Sequence, residues 1–529
     1  MKRHPALFIF FGGFLFQLSY IRYGINMLDG GLLLSSATRV LSGQVSMVDF
    51  FGYPPGKSSY AALFFMVFGE SIGVLRVSMV LVSAGTMVLL FYVCRRMVPF
   101  PYSIAPSLFL LAAPGGYHCR FISFFTVLNT LLILRFIDRP GRMRLFISSF
   151  LAALTLFFRL DVSLFSLLTL LVVLLIANIQ EVKKEKIFRK RVIKLGNGFV
   201  FYFLGLFIPW SLLLVYTISN GDFQNQLMLH IKSMANFNNE IAIVDPPNIF
   251  DVFKEASVHK KRILFEGALF YFPFILYGAV FLHLIRKRGP GKGGLPFFAV
   301  FFLGTQTLLY PFSFPDFWHA ITIYPLVFVV STCLFTRLIA FYEQRCQRKK
   351  SLVFLKMLLP CTVLIFFILT SLNYGIVLGS IGERWREHGF LDTPGIQIYL
   401  PKEKYEITKN VLAFISQNSM KDDGLFVVPH EAAWYFLSRR KNPTRFDYLL
   451  PGHMDPKTQF DIINDLKGHP PKFILYQESS LMGREETKLQ NFAPHVEEYI
   501  RRNYSPVARY GEYEILERPG NGGISFSTY

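Results

Sequence analysis

The sequence predicts a polytopic α-helical membrane protein with a small α/β domain at its C-terminal end, and three observations carry that expectation. Apolar runs long enough to cross a bilayer recur through residues 5–377. Basic residues cluster in every second connection between those runs. From residue 380 onward the composition turns to that of a water-soluble fold. The whole chain agrees: 52% of its 529 residues are hydrophobic and 17% are charged, whereas soluble globular chains carry about 25% charged residues. The formal charge of +20 would suit nucleic acid on its own. It lies between apolar blocks, which excludes nucleic acid as a partner and points to membrane lipids. The five cysteines form an odd set without CxxC spacing, mostly in or beside apolar runs, so neither a disulfide framework nor a zinc site is predicted.

Each span needs about 20 apolar residues, because lipid offers the backbone no hydrogen-bond partners. The first, 5–23, follows only Lys2 and Arg3. No small-residue cleavage site comes after it, and it is expected to be retained rather than removed as a signal peptide. Further spans are expected at 73–93, 101–114, 119–137, 143–158, 162–179, 196–218, 264–285, 294–312, 319–341 and 351–377. The third and fifth are short for full crossings. Roughly eleven spans result.

Basic clusters at Arg95/Arg96, Arg135–Arg144, Lys183–Lys194, Arg286–Lys292 and Arg345–Lys350 fall in alternate connections, together with Lys2 and Arg3. Positive charge is retained on the cytoplasmic side. The N-terminus is therefore expected inside, and the C-terminal domain outside, in the cell (inner) membrane of a cell with an extracytoplasmic or periplasmic face. The outer loops are then 24–58, 114–118, the corner at 159–161, 219–262 and 313–318. Two of them, 24–58 and 219–262, exceed simple connections and are expected to hold short interfacial amphipathic helices, Gly31–Leu41 among them.

The division is thus 1–379 for the transmembrane module and 380–529 for the soluble domain. In the latter, helices are predicted at Lys402–Ser416, His430–Arg440, Pro456–Lys467 and His495–Asn503, and strands at Gly424–Pro429, Lys472–Gln477 and Tyr513–Leu516. Such alternation makes a small α/β layer. It has no GxGxxG turn and no phosphate-binding loop motif, which argues for a lid or docking role rather than nucleotide chemistry.

Ionisable groups at membrane boundaries are costly, and are usually paired or functional. The outer face collects Asp29, Asp49, Lys57, His118, Arg120, Arg159, Asp161, His230, Asp316 and His319. Taken singly, each has an ordinary reading. Asp29 would cap a helix starting at Gly30, Asp161 would pair with Arg159, and His319 would be a satisfied interfacial histidine. Their gathering on one face argues for a site.

These residues also sit in a recognisable pattern. Leu28-Asp29-Gly30-Gly31, then Arg39-Val40-Leu41-Ser42-Gly43, then Val48-Asp49-Phe50-Phe51 with Tyr53-Pro54-Pro55-Gly56, resemble the first outer loop of GT-C glycosyltransferases. These are membrane enzymes related to protein O-mannosyltransferases and lipid A aminoarabinose transferases. Arg159-Leu160-Asp161 and Asp316-Phe317-Trp318-His319 resemble later outer-loop signatures of that superfamily. The pattern departs from many members in two places. Gly30 stands where they carry a second acid, and Tyr53 where they carry a lysine before the Pro-Pro pair.

The resemblance implies a GT-C fold and transfer of a hexosyl or pentosyl group from a polyprenyl-phosphate sugar donor. The acceptor would be a hydroxyl on a lipid, glycan or protein, and the anomeric carbon would invert. Asp29 matches the position of the base that takes the acceptor proton. Lys57, Arg120, Arg159 and His319 are the cations for the phosphate leaving group, while Asp49, Tyr53, Asp161 and Asp316 would orient sugar or cations. The chemistry admits a divalent metal, Mg or Mn, though no ligand spacing requires a cofactor. The competing reading is a transporter or flippase of a lipid-linked glycan. It would call for internal repeats and charges at the bilayer midplane, and neither is seen here.

Overall fold

The computed structural model describes residues 4–100, 102–182, 188–219, 257–286, 294–310, 317–345, 356–366, 387–480 and 484–519, with 225, 228 and 368. Asp316, the side chain of His319 and nearly all of the 219–262 loop, His230 included, lie outside the described residues. The chain forms two compact units. The first comprises residues 1–20, 79–216 and 245–383; the second comprises 21–78, 217–244 and 384–529.

The helices follow the apolar runs in order: α1 (Pro5–Leu18), α2 (Asp29–Leu41), α3 (Pro55–Phe68), α4 (Ile72–Arg95), α5 (Ala105–Ala112), α6 (Arg120–Asp138), α7 (Arg142–Leu154), α8 (Leu160–Val182), α9 (Phe188–Ser219), α10 (Ser257–Arg286), α11 (Leu295–Thr307) and α12 (Phe317–Arg345). A further apolar helix, α13, covers Lys356–Phe366. Among the described residues, six helices are long and apolar enough to cross a membrane, namely those of α4, α6, α8, α9, α10 and α12. Others are apolar but shorter, as at Pro5–Leu18, Tyr102–Ala112, Leu295–Thr307 and Lys356–Phe366. The polytopic plan of the sequence is present, with several of its spans trimmed.

Aromatic packing fills the first unit. Phe109 of α5 stacks on Phe328 of α12 at 4.5 Å between ring centres, and Phe366 of α13 meets Phe109 edge-on at 5.2 Å. Some buried polar groups there pair across helices, which adds to the packing of an apolar bundle. The Asn129 amide donates to Thr155 Oγ1 at 3.2 Å and to Ser166 Oγ at 3.0 Å. Arg96 pairs with Asp138, which brings the C-terminal ends of α4 and α6 to one end of the unit. These are two ends that the charge pattern assigns to the same side.

The second unit joins the first long loop to the C-terminal domain. Strands β1 (His388–Thr393) and β2 (Ile396–Pro401) form an antiparallel hairpin. Then come α14 (Lys402–Asn418), β3 (Leu425–Val428), α15 (Ala433–Ser438), α16 (Pro456–Gly468), β4 (Phe473–Gln477), α17 (Leu489–Phe492), α18 (Pro494–Asn503), β5 (Ser505–Tyr510) and β6 (Tyr513–Glu517). The sheet order is β3-β4-β6-β5, with β3 and β4 parallel and the rest antiparallel. Every residue of β3 and β4 is buried, which is why both read as unbroken apolar runs. At the edge, β5 is largely exposed and carries Pro506, so its alternation is weak and the sequence did not predict it. The β1–β2 hairpin was likewise not predicted, and the helix expected at 430–440 shrinks to six residues. Asp455 caps α16 by accepting the Thr458 amide at 2.8 Å, with Pro456 in the first turn.

Residues 21–78 are bound into this domain through the backbone. The Ala433 amide donates to Met27 O at 2.9 Å, that of Phe51 to Arg445 O at 2.7 Å, and that of Ile72 to Gly395 O at 2.9 Å. Arg39 of α2 pairs with the fully buried Asp447 at 2.6 Å, and Ser35 donates to the other oxygen of that carboxylate at 2.8 Å. The first long loop and the C-terminal domain are one folded body. A lid tethered by its chain ends would not show such a seam.

Candidate functional site in the first outer loop

Asp29 opens α2, but it does not cap it. Asn26 does, taking the Gly30 amide on Oδ1 at 3.1 Å and the Gly31 amide on its backbone oxygen at 3.0 Å. The Asp29 carboxylate is therefore spared from the helix end, although it sits in the first turn, where negative charge is favoured. Its Oδ1 accepts the Tyr53 hydroxyl at 2.8 Å.

Tyr53 is held from below by its own backbone, whose carbonyl accepts Ser46 Oγ at 2.8 Å. Two prolines follow. Pro54 stands at the N-cap of α3 and Pro55 at its first position, so two of the amides that a helix start would leave unpaired are absent. That start fixes Lys57 in the first turn, 1% exposed, with its Nζ 4.2 Å from the centre of the Tyr53 ring. Carboxylate, phenol and ammonium thus form one connected group, in which Asp29 and Tyr53 stand 24 residues apart in sequence.

The wall behind Asp29 belongs to the C-terminal domain. Gly31 lies against Ala433 so closely that a Cβ on it would come within 2.1 Å of the Ala433 nitrogen. Only glycine admits this approach. Tyr448 is buried next to Asp29 and Asp447. Burial first, and those two carboxylates second, push its phenol well above the usual range and keep it protonated. Neither Ala433 nor Tyr448 belongs to any motif, and no local signal in the sequence marks them. Asp49 is exposed, and one of its oxygens accepts the Val45 amide at 2.6 Å, closing the turn before Phe50.

The remaining predicted residues lie in the first unit. Arg159 and Asp161 form a bidentate pair, Nε to Oδ1 at 2.9 Å and Nη2 to Oδ2 at 2.6 Å. The Asp161 Oδ1 also takes the Val162 amide at 2.9 Å, and the guanidinium lies 4.9 Å from the Tyr310 ring centre. Arg120 begins α6, 3% exposed, with its guanidinium 4.2 Å over the Tyr117 ring. Its Nε and Nη1 have no hydrogen-bond partner among the described residues. A buried cation with idle donors suits an anion. Among the described residues, no three His, Cys, Asp or Glu side chains gather as a metal site would need. A Mg or Mn ion would have to take part of its ligand set from elsewhere.

No family model matches the sequence, and no curated protein matches it significantly. The fold is shared with solved structures. One is ArnT from Cupriavidus metallidurans bound to undecaprenyl phosphate, with 12% identity, a TM-score of 0.53 and 98% of each chain covered. Another is the archaeal oligosaccharyltransferase AglB from Archaeoglobus fulgidus, in complex with an inhibitory peptide and a dolichol-phosphate. There the identity is 10% and the TM-score 0.53, over 99% of this chain and 75% of that one. Polytopic helices followed by a C-terminal α/β part, the order that the sequence predicts, give this chain the fold of those solved structures.

Proposed function

We propose that this protein is an inverting glycosyltransferase that moves a sugar from a polyprenyl-phosphate carrier to an acceptor hydroxyl at the extracytoplasmic face of the membrane. The observation that carries the reading is Asp29, a carboxylate in the first turn of α2 that is relieved of helix capping and linked to Tyr53 and the buried Lys57. The likeness of the fold to structures that hold undecaprenyl phosphate and dolichol-phosphate supports the donor class.

In the step we infer, Asp29 takes the proton of the acceptor O–H as that oxygen bonds to the anomeric carbon. The bond between the anomeric carbon and the phosphate oxygen breaks, its electron pair leaving with the lipid phosphate. Attack and departure on opposite faces invert the centre. The phosphate is already a stable anion and needs positive charge rather than a proton. Lys57 is the cation of this network, its ammonium over the ring of the tyrosine that binds Asp29. The Tyr53 hydroxyl aims the Asp29 carboxylate.

Arg120, Arg159, Asp161, Asp49, Asp316 and His319 are proposed to serve substrate binding, and each is separable by its own substitution. The same reading places the N-terminus in the cytoplasm and the soluble domain outside.

The test is transfer itself. Purified wild type and Asp29→Asn are incubated with radiolabelled polyprenyl-phosphate sugars and a membrane extract as the acceptor source. Label transfer with release of polyprenyl phosphate, lost in the variant, supports the reading. Donor crossing vesicles unchanged, without transfer, would replace it with transport.

A further inference from the structure

The second unit holds a cavity of about 270 Å³ that the chemistry above does not use. Its wall is strongly basic. Arg39, Arg439, Arg440 and Lys441 line it, with Glu70 as the acid on the same wall. Arg39 is matched by Asp447 and Arg439 by Glu70, at 2.6 and 3.0 Å. Arg440 and Lys441 have no carboxylate partner among the described residues. The hydrogen bonds of Arg440 go to neutral acceptors, Ser419 Oγ at 3.1 Å, Ser438 O at 3.2 Å and Ser419 O at 3.1 Å, although the residue is only 9% exposed.

Two cations thus exceed the anions available, at a place where one of them is taken out of water. Buried charge without a counter-charge is unfavourable, and an anion entering the cavity would relieve it.

The backbone beside it is also unusual. Arg439 sits at φ 55°, in the left-handed region that side chains other than glycine rarely adopt. It is fixed there by Glu70 Oε2, by the Glu70 carbonyl at 3.3 Å and by the Pro394 carbonyl at 3.2 Å. This arrangement keeps its guanidinium on the Phe436 ring at 4.2 Å and on the cavity wall.

Size and the rest of the lining narrow the ligand. The volume falls below the roughly 300–1,000 Å³ of pockets for drug-sized ligands, so it admits one small group rather than a lipid chain. Ser42 and Gln44 add a hydroxyl and a carboxamide to the cations. Ser42 Oγ already donates to the Arg39 carbonyl at 2.7 Å, and Gln44 Oε1 accepts from Arg39 Nε at 2.6 Å. The hydroxyl can therefore offer a ligand an acceptor and the carboxamide its NH2 donors, which suit sugar hydroxyls better than a bare inorganic anion. A sugar bearing a phosphate or a carboxylate uses both.

We infer that this cavity binds an anionic saccharide group of the acceptor, a second recognition point apart from Asp29. The inference rests on the glycosyltransferase reading for the word acceptor, but the binding it requires is independent of catalysis.

Binding is measured by calorimetry on the full chain in detergent, with glucose 1-phosphate, glucuronate, glucose and inorganic phosphate as probes. One or both of the anionic sugars should bind at least about tenfold more tightly than glucose and than inorganic phosphate. Raising ionic strength from about 0.05 to about 0.5 M should weaken that binding. Lys441 is exposed, so Lys441→Glu should fold normally, as its melting temperature would show, and should lose about tenfold in affinity. Asp29→Asn should bind the probe as wild type does. Glucose binding equal to that of the charged sugars, inorganic phosphate binding as tightly as glucose 1-phosphate, or an unchanged Lys441→Glu would each overturn the inference. None of these outcomes bears on donor turnover, whereas loss of transfer in Asp29→Asn with probe binding intact keeps the two readings apart.

Discussion

Asp29 and Asp161 make an instructive pair. Both are carboxylates in the first turn of a helix, and both were singled out from the sequence as outer-face acids. Asp161 spends both oxygens on Arg159 and a further lone pair on its neighbour's amide. Asp29 leaves capping to Asn26 and takes a hydrogen bond from Tyr53, a neutral phenol. A carboxylate held by a bidentate guanidinium is committed to that partner, which suits binding or support rather than proton transfer. A carboxylate aimed by a phenol is oriented as a general base must be. Position on a helix does not separate the two. The partners do.

The sharpest way to break the comparison is to remove each charge in place. For Asp29→Asn, kcat for sugar transfer should fall by about 10²–10⁴, the range for a lost general base, while the melting temperature stays close to wild type. Asp161→Asn should do the reverse. It leaves a partly buried guanidinium without its counter-ion, and stability should drop by about 3 kcal/mol, the low end for broken buried pairs. Activity per folded molecule should change far less than in Asp29→Asn. Thermal unfolding and single-turnover transfer on the same preparations decide it. Equal kinetic losses with unchanged melting would make Asp161 a partner in the reaction.

A third test asks whether acid loosens the wall behind Asp29. His430 lies just before the segment that touches α2, and burial lowers its pKa from 6.5 to about 4, with Glu512 acting weakly the other way. In the folded state its neutral form is favoured, so between those two values the unfolded chain binds more protons. Stability should therefore fall as pH drops from about 6.5 to about 4, by up to about 3 kcal/mol from this group. Glu431 next to it is raised by burial and has the opposite slope. The difference between wild type and His430→Gln isolates the histidine. A difference that is flat across this pH range would show that His430 does not titrate as a buried group.

Much of the fold was legible because lipid enforces it. An uninterrupted apolar run must be helical, and alternate basic connections order the runs, so the path from α4 to α13 is legible in outline, whereas α3, at Pro55–Phe68, was not predicted. The soluble strands β3 and β4 were legible for a similar reason, since burial on both faces makes them apolar up to Gln477 at the end of β4. Edge elements were not, because β5 and the β1–β2 hairpin show mixed exposure and take their pairing from distant chain. In the site, Asp29, Tyr53 and Lys57 could be named from one loop, as proline and glycine fix their spacing. Asn26 as the true cap depends on loop geometry, and Ala433 and Tyr448 reach Asp29 from some 400 residues away. The pairing of Asp161 with Arg159 was legible from their spacing, whereas Asp29 was expected to cap the helix that Asn26 caps instead.

Gly31 offers a smaller perturbation of the same region. A methyl group there meets the Ala433 backbone, which cannot swing aside as a side chain would. Gly31→Ala should cost about 1–3 kcal/mol of stability through overpacking, and should also lower kcat by tilting the first turn of α2. Gly30→Ala is the control, since its added carbon meets only Asn26 Cβ at 3.3 Å. Were both variants to behave alike, the close approach of Gly31 to Ala433 would not be what positions Asp29.

Tyr53→Phe separates aim from charge with the smallest expected effect. The ring stays over Lys57, so the cation–π contact is kept, while the hydroxyl that donates to Asp29 is lost. Two consequences follow. Losing a donor to the charged form makes the carboxylate easier to protonate, so the acid limb of the pH–rate profile should move to higher pH. Losing the aim should lower kcat about three- to tenfold at the optimum, with KM for the donor little changed, because the phenol orients the base and does not hold the sugar. A structural role alone would depress activity evenly across pH. Should the profile keep its shape and only its height fall, Tyr53 would be packing around Lys57, and Asp29 would be tuned by something other than its phenol.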